Sequence, residues 1–251
     1  MPKFDLTLSH PLMNAAGTLG FAPDLHGPVD LARLGAFVTN PVSLAPRSPA
    51  GGGRLLNFPG GFLLHTGHPN PGMKSVLRRY ARQWARSPVP VLVHLLAQDV
   101  IEISSMVRDL ESVEGVRGIE LGLPPQVTVQ ATGELVRAAL GELPVVVRIP
   151  MEQVSELAPM VIDCGATAAS LAPPRGALPT STDENTSTIS HGRLYGPSIF
   201  PLALAAVQIL VATGVPTIGA GGIYHPEQIA AMLAAGAQGV QLDAVLWRGG
   251  F

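Results

Sequence analysis

Short apolar runs recur along the chain, and each is followed by turn residues and then by a stretch with helical spacing of apolar positions. The runs are too short for helices and are apolar on both faces, which is typical of strands in a parallel sheet covered on both sides. Eight such strands are predicted, at residues 12–15, 36–39, 91–95, 118–121, 145–149, 168–171, 216–219 and 239–242.

The amphipathic stretches between these runs predict helices, because their apolar positions recur every three or four residues. These stretches are residues 73–86, 99–112, 127–140, 151–163, 201–213 and 226–235. Strands that alternate with helices indicate βαβ units, and a count of eight strands indicates a closed barrel. We therefore predict an α/β fold, a single-domain TIM-type (β/α)8 barrel over residues 1–251.

Two connections are too long to be simple turns: residues 40–72, with three glycines at 51–53, and residues 172–200. Both follow the carboxyl ends of predicted strands, which is the face where barrel enzymes build their sites. We predict that both are functional; decorative insertion is the alternative. The polar run at residues 180–188 is expected to be a mobile part of the second loop.

Few residues follow the eighth predicted strand. Residues 243–251 are too few for a full covering helix, so we expect the C-terminal helix of the barrel to be truncated. A barrel does not leave such a seam in contact with water. We therefore expect a second chain to cover it, either in a homo-oligomer or as a paralogous subunit.

Composition agrees with this fold and excludes several classes of function. Only 14% of the residues are charged and 47% are apolar, which suits a buried parallel sheet wrapped by helices. The net charge is −2 and no basic stripe occurs, which excludes nucleic-acid binding. Cys164 stands alone in an apolar run, where a small buried hydrophobe is expected.

The chain is expected to be cytoplasmic. A single cysteine forms no internal disulfide, which fits a reducing compartment. The first five residues lack the apolar stretch of a signal peptide, and no run approaches eighteen apolar residues, so no membrane association is expected.

The clearest candidate site is a glycine-rich segment after the seventh strand, at residues 217–223, together with residues 239–244 after the eighth. Loops at these two strand ends commonly bind phosphate, because glycines let backbone N–H groups approach the oxygens. A tight turn is the alternative. Asp243 would repel a phosphate, so either its side chain points away while its backbone serves, or the phosphate site is lost.

Two other strand ends carry candidate binding residues. Small residues at 13–18 would let a flat ring lie against the backbone, although a loop packed under a neighbour is equally consistent. Arg148 ends an otherwise apolar strand and is expected to point into the barrel mouth. There it would stabilise negative charge on a bound ligand, or form a structural salt bridge with Glu120.

His65 and His68 are three residues apart in a loop rich in turn formers. The pair is compatible with metal binding or with a general acid, but no carboxylate lies nearby in the sequence, and no metal site is predicted. The sequence also contains no nucleophile elbow, Walker loop, Cys-x-x-Cys or zinc motif.

Taken in order, these segments resemble the dihydroorotate dehydrogenase family nearly from end to end. The matching segments are residues 14–18, 37–39 with 43–47, 67–72, 192–197 with Pro201, and 218–223. The family folds as a barrel that carries FMN at its C-terminal mouth and oxidises dihydroorotate to orotate in pyrimidine synthesis. The resemblance implies a small-molecule pocket at that mouth formed by His65 and Asn70, and FMN contacts from Ala16, Gly17, Asn40, Arg148, Gly196, Gly221, Gly222, Asp243 and Ala244.

The chain departs from the family pattern at the positions that carry its chemistry. Asn40 replaces a lysine, and residues 122–127, Gly-Leu-Pro-Pro-Gln-Val, replace a loop that supplies two asparagines and the catalytic base. Pro125 has no side-chain proton acceptor. Leu64 and residues 172–174 replace further hydrogen-bonding groups of the substrate site. No catalytic residue is therefore predicted, and native dihydroorotate turnover is expected to be poor.

Three functions are compatible with the sequence. The first is an FMN-dependent oxidoreductase of the family with its own or a changed substrate. The second is a catalytically degenerate homologue that acts as a binding or structural subunit. The third is a non-flavin, phosphate-binding barrel enzyme, which the absence of a strand-end lysine for a Schiff base disfavours.

Overall fold

A computed structural model of the protein describes residues 6–27, 29–51, 55–96, 98–183 and 186–248. Within these ranges the strands are β1 (Leu12–Asn14), β2 (Phe37–Val38), β3 (Leu55–Phe58), β4 (Gly61–Leu64), β5 (Val91–Leu96), β6 (Val116–Gly122), β7 (Val145–Pro150), β8 (Ala168–Ala172), β9 (Arg175–Asp183), β10 (Thr186–Tyr195), β11 (Thr217–Ala220) and β12 (Gly239–Leu242). The α-helices are α1 (Met73–Ala85), α2 (Val100–Glu111), α3 (Val129–Ala139), α4 (Val154–Asp163), α5 (Phe200–Ala212) and α6 (Pro226–Ala234).

Eight parallel strands form the barrel, in the order β1-β12-β11-β8-β7-β6-β5-β2. A parallel bridge between Met13 and Ala36 joins the two ends of this sheet. All eight strands lie at the predicted places, and each predicted helix is present within a few residues of its predicted bounds. The prediction of a TIM-type (β/α)8 barrel is therefore confirmed.

Asn14 joins β1 to β2, the two end strands of the barrel sheet. Its side-chain Nδ2 donates to the carbonyl oxygen of Val38 at 2.7 Å, and its Oδ1 accepts the N–H of Val38 at 2.9 Å. The side chain is fully buried. Because it satisfies both backbone groups of Val38, the amide takes the place of a neighbouring strand.

A second sheet stands over the carboxyl ends of the barrel strands. Its antiparallel strands run in the order β3-β4-β10-β9, and we call it the mouth sheet. It occupies much of the two long connections, which the sequence predicts only as loops. The polar run at residues 180–188 lies largely in β9 and β10, where Thr180 Oγ1 and Ser190 Oγ are 2.6 Å apart. The centre of the first loop, residues 52–54, and the turn at residues 184–185 lie outside the described residues.

Past β12 the chain forms only a short 3-10 helix, Ala244–Arg248, and residues 249–251 lie outside the described part. Residues 1–5, on which the expectation of no signal peptide depends, lie outside it as well. Among the described residues, no helix is long and apolar enough to cross a membrane. Cys164 is buried, with its Sγ 3.6 Å from Met160 Sδ, which confirms its expected environment.

Candidate functional site

A cavity of about 230 Å³ lies between the carboxyl ends of β5 to β8 and the mouth sheet. Barrel residues form its floor, and strands β4, β9 and β10 with the loop after β4 form its roof. Its lining is strongly basic, and none of the described lining residues is Asp or Glu. The basic lining residues are Arg47, Arg148, Arg175, Arg193, His65, His68 and His94. Such a cavity favours an anionic ligand.

Glu120 lies directly below this cavity, in the barrel interior. It is fully buried, and its Oε2 is 3.5 Å from Arg148 Nη1 and 2.6 Å from His94 Nδ1. Its Oε1 accepts hydrogen bonds from Ser170 and Gln241, which belong to two further barrel strands. The salt bridge between Arg148 and Glu120 that the sequence left as one alternative is present, and Arg148 also lines the cavity.

These partners keep the Glu120 carboxylate ionised. Burial alone raises its pKa, but the charge of Arg148 and the hydrogen bonds from His94 and Gln241 outweigh burial and lower the pKa to about 2. A buried carboxylate needs such partners, because an unpaired charge in the interior is strongly destabilising. Glu120 therefore carries a negative charge at any physiological pH.

His94 is not among the residues that the sequence predicts for the site. It lies on β5 between valine and leucine, with 3% of its surface exposed. Burial lowers the pKa of its imidazole, against the opposing effect of Glu120, so the ring is neutral at pH 7. A polar residue inside an apolar strand singled out Arg148 in the sequence, and the same signal is present at His94.

The imidazole of His94 occupies the space of a missing side chain. A Cβ added to Gly122, which ends β6, would lie 2.5 Å from His94 Nε2. Gly122 and His94 both line the cavity, together with Pro124 and Pro125. The His94 ring and a side chain at position 122 therefore cannot occupy this space at the same time.

The roof of the cavity contributes half-buried polar side chains, Arg193 from β10 and His68 from the loop after β4. Burial lowers the pKa of the Arg193 guanidinium. Burial, followed by the charge of Arg193, lowers the pKa of His68 to about 2, so His68 is neutral. Concentrating cations in a poorly solvated space is unfavourable unless an anion neutralises them.

The two residues predicted for the substrate pocket have different places. His65 lines the cavity and is exposed. Asn70 is absent from the cavity lining, and its amide holds loops together: Oδ1 accepts the N–H groups of Ser43 and Gly72, and Nδ2 donates to the His68 carbonyl. In the described part of the chain, no three His, Cys, Asp or Glu side chains are grouped to hold a metal ion.

The predicted phosphate-binding residues lie at the ends of β11 and β12, outside the cavity lining. Gly221, Gly222, Asp243 and Ala244 are all buried. The carboxylate of Asp243 points at its neighbour's backbone, and its Oδ1 accepts the Ala244 N–H at 2.5 Å. Burial raises the pKa of Asp243 to about 6, so its carboxyl is mostly ionised at pH 7.

Comparison with known proteins assigns the family. The family model described as dihydroorotate dehydrogenase matches residues 3–251. The chain belongs to the dihydroorotate dehydrogenase family. Among its relatives, a Desulforudis audaxviator protein is 31% identical, with 94% of this chain and 82% of the relative covered. A Pelobacter propionicus protein is 30% identical, with 94% and 84% covered. Both relatives are named "Dihydroorotate dehydrogenase B (NAD(+)), catalytic subunit".

Several residues of the cavity wall differ from those that the resemblance implies for the family. The resemblance implies that Gly122–Val127 stands where the family has two asparagines and a base, and the structure places Gly122, Pro124 and Pro125 in the cavity wall. Their side chains offer no hydrogen-bonding group. The imidazole of His94 instead occupies the space beside Gly122.

The residues expected to hold FMN do not fit its phosphate. The Ala244 N–H that would serve a phosphate oxygen is already bonded to a carboxylate, and that carboxylate would repel the phosphate. Loss of the phosphate site, one of the two alternatives for Asp243, stays a prediction. A Cβ on Gly222 would overlap the backbone of Phe200, so this glycine serves close packing of the loop on α5.

The remaining residues predicted to contact FMN also make contacts within the chain. The Asn40 Oδ1 accepts the Gly20 N–H at 3.2 Å, and Gly196 allows β10 to approach Gly60 closely. The loop after β1, which contains Ala16 and Gly17, accepts a hydrogen bond at the Thr18 carbonyl from Trp247 Nε1 at 3.1 Å. Trp247 also lies 6.2 Å from Phe62 and 6.1 Å from Tyr195 between ring centroids, which links this loop to the mouth sheet.

Proposed function

We propose that this member of the dihydroorotate dehydrogenase family binds a small organic anion in the cavity at its barrel mouth and does not oxidise dihydroorotate efficiently. The observation that carries the proposal is the lining: four arginines and no carboxylate among the described lining residues. Arginine holds carboxylates through paired, charge-assisted hydrogen bonds. A carboxylate ligand of the size of orotate matches this chemistry.

The replaced residues support the second half of the proposal. A site that lacks the hydrogen-bonding partners of its ligand discriminates by about four to five orders of magnitude. Pro124 and Pro125 stand where the resemblance implies such partners, and neither side chain can form a hydrogen bond. The mismatch at Asp243 adds a reason to expect weak FMN binding.

A flavin oxidoreductase is the second candidate function. Family membership favours it, and so does Arg148, which would face a reduced flavin with a positive charge. A protein purified with bound flavin would favour this candidate over the binding function.

The names of the relatives support the proposal that this chain has a partner subunit. Each is called the catalytic subunit of an NAD(+) enzyme, so it assembles with another subunit. We propose that this chain likewise associates with a paralogous subunit or with a second copy of itself, and that it does so in the cytoplasm, where Cys164 stays reduced. A monomeric mass in solution, both for the protein purified alone and for the protein purified together with its proposed partner, would contradict the association.

Binding of orotate, measured by calorimetry, tests the proposed function. We expect the wild-type protein to bind orotate, and Arg193→Gln to weaken the affinity by roughly 10- to 100-fold, because a hydrogen bond to a charged group contributes about 1.5–3 kcal/mol. Arg78→Gln, on the exposed face of α1, is the matched control and should bind like the wild type. No binding by the wild-type protein, or equal affinities in all three proteins, would contradict the proposal.

A further inference from the structure

We propose that His94 Nε2 is the proton acceptor of this cavity and that Glu120 positions it. The proposal rests on the proposed function, since it requires an organic acid to occupy the cavity. It adds that the cavity supplies a base to the bound ligand, although the loop that resembles the family's base-carrying loop has Pro124 and Pro125 here.

The hydrogen bond to Glu120 determines which ring nitrogen carries the proton. His94 Nδ1 lies 2.6 Å from Glu120 Oε2, and Glu120 is ionised. An ionised carboxylate only accepts, so Nδ1 carries the hydrogen and Nε2 has a free lone pair. A carboxylate that orients an imidazole in this way is the arrangement by which histidine acts as a base in hydrolases.

The lone pair of His94 Nε2 faces the cavity. Nε2 lies on the side of the ring toward Gly122, in the cavity wall, and none of the described residues forms a hydrogen bond with it. Glu120 is held by Ser170 and Gln241 from two other strands, so the carboxylate–histidine pair of Glu120 and His94 has little freedom to reorient. This rigidity is what a preorganised base requires.

The charged groups around the ring suit a proton transfer. Burial, followed by the charges of Arg148 on β7 and Arg193 on β10, lowers the pKa of the imidazole, so that the ring is unprotonated and able to accept a proton at pH 7. Glu120 opposes this shift and stabilises the imidazolium once it forms. The neighbouring His68 is neutral. A C–H proton next to a ligand carbonyl would move to Nε2, and its electron pair would stay on the ligand as an enolate. The enolate charge would face the arginines. Return of a proton completes the cycle without an oxidant or a cofactor.

Hydrogen–deuterium exchange tests this step without any flavin. L-Dihydroorotate is the probe, because its C5 protons lie next to a carbonyl group, and loss of their signal in D2O is followed by proton NMR. We expect the wild-type protein to accelerate the exchange, and His94→Gln to slow it by about two to four orders of magnitude. His191→Gln, an exposed position on β10 outside the cavity lining, should exchange at the wild-type rate.

A ligand-free measurement complements the exchange. In the 15N-histidine-labelled wild-type protein at pH 7, we expect a proton on His94 Nδ1 and none on Nε2. A proton on Nε2 would overturn the proposal, and so would orotate binding without exchange, or exchange by His94→Gln at the wild-type rate. Failure of the wild-type protein to bind orotate would instead contradict the proposed function, whatever the tautomer.

Discussion

Replacement of Glu120 by glutamine is expected to lower the free energy of unfolding by about 3–5 kcal/mol, the usual consequence of removing one partner from a buried ion pair. The substitution preserves shape but leaves the buried charge of Arg148 without its counter-ion. It also replaces one accepting oxygen by an NH2 group, which must then face a donor from His94, Ser170 or Gln241. Urea denaturation at pH 7 measures the difference.

The matched control for Glu120→Gln is Glu134→Gln, on the exposed face of α3, which should change stability by at most about 0.5 kcal/mol. The effect at Glu120 should also depend on pH. Its folded-state pKa of about 2 lies below the ordinary value of 4.5, so its contribution is complete above about pH 4.5 and is lost as pH falls toward 2. A Glu120→Gln protein as stable as the control at pH 7 would show that the buried network contributes little.

Replacement of Asp243 by alanine is expected to raise the affinity for FMN by about a thousandfold. The change frees the Ala244 N–H and removes a buried carboxylate from the place of the phosphate. Protonation of the carboxyl, whose pKa is about 6, costs about 1.4 kcal/mol at pH 7, so the charge contributes no more than this. The freed N–H adds about 1.5–3 kcal/mol as a hydrogen bond to a charged group, and the sum corresponds to roughly this factor. Quenching of FMN fluorescence on titration with protein measures the affinity.

The Asp243→Asn variant distinguishes the effect of the carboxylate charge on FMN binding from the effect of the side-chain volume. It removes the negative charge but keeps an oxygen that can accept the Ala244 N–H, so we expect an FMN affinity between those of the wild-type and Asp243→Ala proteins. If the wild-type protein already binds FMN as tightly as Asp243→Ala, the carboxylate does not block the phosphate site.

The barrel could be predicted from the sequence because its strands are buried on both faces. Their apolar runs are uninterrupted, and each is followed by a stretch with clear helical spacing. The mouth sheet could not be predicted in the same way. Strand β10 is rich in Ser and Thr, and β9 contains Gly176 and Pro179, so neither shows the apolar alternation of a half-buried strand.

The candidate site could be predicted only in part. Arg148 is conspicuous as a charged residue in an apolar strand, and His94 has the same signal on β5. Arg175 and Arg193 give no such signal, because the return of β9 and β10 over the barrel mouth brings them into the cavity. For Asp243 the sequence left two orientations open, since the direction of a side chain at a strand end depends on the neighbouring backbone.

The visible absorption spectrum of the purified protein, before and after anaerobic addition of dihydroorotate, shows whether the cavity retains a flavin and oxidises dihydroorotate. We expect no flavin band and no formation of orotate from dihydroorotate, in a protein that still binds added orotate. A flavin spectrum that dihydroorotate bleaches would contradict this expectation, because the cavity would then retain both the cofactor and the oxidation that its replaced residues lead us to exclude.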